Sequence, residues 1–88
     1  MKYKISKNVL WRVVDGEVVL ADPDNDEYSY LNSTGAEIWQ MIAKGNGLDE
    51  IVEKLSKEYA TPAETIKKDT QTIIKDLVKS KLIVKSSL

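Results

Sequence analysis

The sequence predicts an α+β, winged-helix-like fold in which a three-stranded antiparallel β-meander is followed by three α-helices. Three observations carry that expectation. The apolar period changes once, near Asn32, from alternation to helical spacing. Asp15-Gly16 is the dipeptide that supplies positive φ to a tight hairpin turn. Thr61-Pro62-Ala63-Glu64 reads as a helix start, with Thr as the cap, Pro at the first helical position and Glu three residues after the cap. At 88 residues the chain makes a single domain, 1–88, and is too short for two separate cores.

Val9 to Val14 is rich in β-branched and aromatic residues, with Val9, Trp11 and Val13 on one face and Leu10, Arg12 and Val14 on the other. Glu17 to Ala21 returns as the second strand. Asp22-Pro23-Asp24-Asn25-Asp26 is a turn cluster, and Glu27 to Leu31 forms a short third strand. Asn32 or Thr34 caps the first helix, and Thr34-Gly35-Ala36-Glu37 has capping-box spacing. Ile38, Trp39, Met41 and Ile42 recur at helical intervals until Gly45-Asn46-Gly47 breaks the pattern. Leu48, Ile51, Val52, Leu55 and Tyr59 make the apolar stripe of the second helix. The third carries Ile66, Thr70, Ile73, Ile74, Leu77 and Val78 and ends near Lys79, after which Leu82-Ile83-Val84 packs back as a short extended segment.

Composition excludes several classes of function. Thirteen Lys plus Arg against fourteen Asp plus Glu give a net charge of −1, without the basic excess that phosphate binding needs. Cysteine and histidine are both absent, which removes disulfides, thiolate nucleophiles and imidazole-based triads, and leaves no zinc or haem ligand set. No apolar run approaches the roughly 18 residues of a membrane span. Met1 to Lys7 has basic residues without a hydrophobic stretch behind them, so a signal peptide is not expected and the cytoplasm is the expected location. Asn32-Ser33-Thr34 matches a glycosylation sequon but reads as a helix start.

Asp22, Asp24 and Asp26 are spaced like the first ligands of a calcium loop, but Glu27 and Ser33 stand where that loop needs Gly and Glu. A solvated turn is the better reading, and no metal or cofactor is expected. Asp69 is the one acid expected near an apolar stripe, where it would satisfy backbone donors; no catalytic pair emerges, and the chain is not expected to be an enzyme. Lys67, Lys68, Lys75, Lys79, Lys81 and Lys85 raise a DNA-binding alternative, that of a small winged-helix regulator. Interleaved Glu64, Asp69 and Asp76 weigh against it. A carrier protein would need a serine opening the second helix, and Gly47-Leu48-Asp49-Glu50 has none.

In a meander the outer strands have free edges, which proteins either block or use to bind another strand. If the third strand, with Tyr28, Ser29, Tyr30 and Leu31, lies beside the third helix, with Ile66, Thr70, Ile73, Ile74 and Leu77, a groove results. Such a groove takes an extended peptide as a fourth strand.

Asp15-Gly16-Glu17, Leu20, Asp22, Tyr28 through Gly35, and Ile38-Trp39 resemble the family of coenzyme PQQ synthesis protein D. Leu48, Ile51, Leu55, Tyr59, Asp69, Leu77 and Leu82-Ile83-Val84 extend the resemblance over residues 8 to 84. Lys81 and Gly47 depart from the family pattern, standing where Gly and a Thr-like cap are common. The resemblance implies a RiPP recognition element, a module that binds the leader of a ribosomally made precursor peptide and presents it to a modifying enzyme. It implies leader pairing along Glu27, Tyr28, Ser29, Tyr30 and Leu31, against Ile66, Thr70, Ile73, Ile74 and Leu77, with Lys67 and Lys75 at the rim. The implied partners are the leader peptide and an enzyme such as a radical SAM protein or a leader peptidase, with neither nucleic acid nor membrane. The chain is expected as a monomer or homodimer.

Overall fold

The computed structural model describes residues 2–22 and 27–86. Asp15 and Gly16 take φ of 51° and 80°, the pair of positive angles that a two-residue hairpin turn requires. That turn joins β2 (Leu10–Val14) to β3 (Glu17–Asp22), with Val14 opposite Glu17 and Trp11 opposite Leu20. The third meander strand, β4 (Glu27–Leu31), pairs antiparallel with β3, placing Ser29 opposite Leu20 and Leu31 opposite Val18. The order β2-β3-β4 is the expected meander, and β4 is an edge. The turn expected over residues 23–26, with Asp24 and Asp26 of the calcium-like spacing, lies outside the described residues.

A second sheet was not expected. Strand β1 (Lys2–Ile5) pairs antiparallel with β5 (Ile83–Ser86), Ile5 opposite Ile83 and Tyr3 opposite Lys85. The expected segment at Leu82-Ile83-Val84 is therefore half of a two-stranded ribbon. Ser6 fastens its end: its N–H donates to the Leu82 carbonyl at 3.0 Å and its hydroxyl to the Lys81 carbonyl at 2.7 Å.

Of the three helices, α1 packs on the inner face of the meander, and α2 and α3 pack on each other. Asn32, rather than Thr34, caps α1 (Ser33–Ala43), its side-chain oxygen accepting from the Gly35 N–H at 3.3 Å. Glu37 takes no part in a capping box. Its carboxylate instead accepts from the Tyr59 hydroxyl, tying α1 to the far end of α2 (Leu48–Glu58). That hydrogen bond to a carboxylate holds the Tyr59 phenol above its ordinary 10.0. Gly47 caps α2 without a side chain, and Glu50 reaches back to accept from its N–H at 2.9 Å. The start of α3 (Ala63–Lys79) differs from expectation by one position: Pro62 is the cap, and the Thr61 hydroxyl turns back to the Tyr59 carbonyl. At Gly35, in the first turn of α1, an added Cβ would sit 3.5 Å from Leu31 Cβ, an ordinary contact.

Val18 and Leu20 of the sheet, Ile38 and Trp39 of α1, Ile51 and Leu55 of α2, and Ile74 and Leu77 of α3 meet in one core, which Leu82 and Ile83 close from below. Asp69 is exposed, not buried among these residues, because it lies on the solvent side of α3. Lys81, where glycine is common in the resembled family, ends α3 with φ 62° while Leu82 N–H returns to the Leu77 carbonyl. A side chain in this left-handed conformation is strained where glycine is not. Lys81→Gly is expected to raise unfolding stability by about 1 kcal/mol in urea titration. A loss of stability would show that the lysine side chain contributes more than its backbone costs.

Candidate functional site

The hairpin fixes which backbone groups of β4 are free. In a two-residue hairpin the residues flanking the turn exchange both hydrogen bonds, and bonded pairs then alternate along the ladder. Val14–Glu17 is that first pair, so Val19 and Ala21 also direct their N–H and C=O toward β2. Val18, Leu20 and Asp22 must then face β4, where they meet Leu31, Ser29 and Glu27. The backbone groups of Tyr28 and Tyr30 are left pointing out of the sheet at its open edge. An extended segment laid along this edge would find a donor and an acceptor on each of these two residues.

Side chains divide by the same register. Ser29 and Leu31 share the inner face with Val18 and Leu20, and Leu31 packs half-buried against the core. Tyr28 and Tyr30 stand on the outer face with relative exposures of 71% and 69%, beside Ala21, Val19, Leu10 and Arg12. The outer face of the meander is thus apolar and uncovered, although alternation alone suggested a helix-facing role for only one side. Trp11, on the inner face, meets the ring of Trp39 edge-on at 6.1 Å between centroids.

The α3 candidates separate into two groups. Thr70, Ile74 and Leu77 are 1%, 3% and 5% exposed, so they are core residues and offer almost no surface to a ligand. Ile66 and Ile73 are half-buried at the border of the core and Lys67 is exposed. The helix that β4 packs against is α1, with no packed β4–α3 interface. Lys75, expected at the rim of the groove, instead lies over a separate cleft with Tyr3 and Lys85, where no β4 residue reaches. Sequence reasoning missed that cleft because it missed β1, although the alternation in Lys2-Tyr3-Lys4-Ile5 is a strand signal. Among the described residues no group of acidic side chains is placed to hold a metal ion.

A family model described as coenzyme PQQ synthesis protein D matches residues 17–83, well over half of the chain. Among curated protein sequences, none matches. Two solved structures superpose closely. TbiB1 in complex with the TbiA(beta) leader peptide aligns with a TM-score of 0.89 and 28% identity, covering 97% of this chain and 99% of that one. Lasso peptide synthetase B1 complexed with the leader peptide aligns with a TM-score of 0.88 and 21% identity, over 96% and 99% of the two chains. At its lower identity the second match bears on the fold alone.

Proposed function

The chain belongs to the coenzyme PQQ synthesis protein D family, and from that premise we propose that it recognises the leader of a ribosomally synthesised precursor peptide. The leader adds as a strand at the open edge of β4 and rests against the exposed border of α3. The domain then presents the precursor to a separate modifying enzyme, such as a radical SAM protein or a leader peptidase. It works in the cytoplasm and does no chemistry of its own. The observation that carries this reading is the near-complete superposition on a chain solved with a leader peptide bound.

The edge geometry supports the same reading. Tyr28 and Tyr30 supply the outward backbone groups for two-sided pairing, Ser29 faces the groove side, and Leu31, Ile66 and Ile73 offer half-buried apolar surface for alternate leader side chains. Thr70, Ile74 and Leu77 act from beneath as the packing that fixes α3. Glu27 extends the pairing edge at the start of the strand, and Lys67 is the remaining rim cation of the expected site.

Calorimetric titration with the leader half of a candidate precursor peptide tests the proposal. Saturable one-to-one binding is expected, changing little between low and moderate salt, because main-chain hydrogen bonds and apolar burial are not screened. The regulator alternative predicts the opposite: no leader binding, and duplex DNA binding that collapses steeply with salt. That outcome would overturn the proposal.

A further inference from the structure

On the flank of α3 turned about 100° per residue away from Ile73, Gln71, Ile74, Lys75 and Val78 form one wall of a cleft of about 500 Å³. Tyr3 of β1, Lys85 of β5, Leu48 at the start of α2, and Lys79 complete it. Its volume falls in the range of sites that bury small ligands or anchoring side chains, roughly 300–1,000 Å³. The cleft is apolar at its base, where Val78 is 39% exposed and the nearly buried Leu48 and Ile74 line it from the core side.

The charge at this cleft runs against the whole molecule. The chain is net negative, yet among the described residues the cleft is bordered by Lys75, Lys79 and Lys85 and by no acidic side chain. Among the described residues the ion pair present joins Lys57 to Glu53, far along α2, and none of the three cleft lysines is neutralised. An occupant that brings carboxylates together with an apolar group would complement the three ammonium groups and the apolar floor at once. A concave floor suits an inserted side chain, whereas a bilayer surface would need an exposed cluster of basic residues on a face that can lie against it.

We propose that this cleft is a second recognition site, independent of the β4 edge, for a segment of a partner protein in which a large apolar side chain is flanked by Asp or Glu. The leader and this segment would then be held at once, on different walls of the same domain. The cleft depends on the β1–β5 ribbon, which supplies Tyr3 and Lys85 as neighbours across one register position.

Two-dimensional amide NMR of the full chain tests this with two capped hexapeptides, Asp-Leu-Trp-Glu-Leu-Asp and its twin with lysine at each acidic position. The acidic peptide is expected to shift the amides around Val78, Lys79 and Lys85 saturably and to leave those of Tyr28 to Leu31 in place. The basic twin should bind about tenfold more weakly or worse, and a Lys75→Glu/Lys85→Glu variant should reverse that preference. Val78→Asp, at an exposed position, should weaken the acidic peptide while leaving the circular dichroism spectrum and leader affinity unchanged. Absence of saturable shifts, equal binding of both peptides, or shifts centred on β4 would overturn the proposal. So would concentration-dependent shifts at the cleft without peptide, which would assign it to a second copy of the chain, and so would leader binding that displaces the acidic peptide.

Discussion

Tyr30→Pro is expected to abolish measurable leader binding while the protein remains folded. The register places the Tyr30 N–H at the open edge of β4, where it serves no strand within the domain. Proline removes that donor, and its ring fills the space an incoming strand must occupy. Binding is expected to weaken by at least about a hundredfold, since a lost main-chain bond leaves a leader carbonyl buried and unpaired at about 1–3 kcal/mol, with the steric block added. Two controls separate causes. Tyr30→Ala keeps the donor and removes the exposed ring, so its loss of affinity reports the side chain alone. Ser29→Pro deletes a group that faces β3, so it should lower stability as well as binding. Calorimetry with the leader and thermal melts on all three variants decide it: unimpaired binding by Tyr30→Pro would sink strand addition as the mechanism.

Trp39→Ala is expected to unfold the domain or bring it close to unfolding. Trp39 is fully buried where α1 meets the sheet, in edge contact with Trp11. Truncating a buried aromatic to alanine costs about 3–5 kcal/mol, against a total of about 5–15 kcal/mol for a typical domain. Among the described residues the buried Trp39 indole N–H has no hydrogen-bond partner, so part of its burial is unfavourable. Trp39→Phe removes that donor along with some volume, and its cost should fall well short of the alanine variant's. Urea titration followed by circular dichroism measures both; equal losses would mean that the orphaned N–H is not a liability.

What was legible in the sequence followed how local each signal is. The Asp15-Gly16 turn, the strand alternation on either side of it and the three helical stripes are written within a few residues of where they act. Their elements appear close to the expected bounds. The β1 strand was not legible in this way, because four residues of alternation mean little until a partner about eighty residues later supplies the other half of the ladder. The α3 stripe from Ile66 to Val78 was legible as apolar but not as sorted. Apolar residues at successive three- and four-residue steps cover a wider arc than one neighbour fills, and only the placement of α2 and β5 against α3 assigns Ile74 and Leu77 to the core. Asp69 failed for a related reason: adjacency to a stripe in sequence turned it by a full helical flank into solvent. Which β4 residues have free backbone groups was latent in the hairpin, since a two-residue turn sets the alternation, but reading it required the pairing register.

The β1–β5 ribbon also sets an order of events. Pairing Lys2 with Ser86 closes nearly the whole described chain into one loop, whereas Val14 and Glu17 close across two residues. Loop-closure entropy makes the long closure costlier by on the order of a few kcal/mol. During folding, the meander and the helices can therefore assemble first, with the ribbon joining last. In the native protein the ribbon is two four-residue strands with Lys2, Lys4, Val84 and Lys85 exposed, so its amides are expected to exchange with solvent ahead of those in the Val18–Trp39 core. Earlier exchange there would mean that the walls contributed by Tyr3 and Lys85 come and go while the core beneath them stays closed.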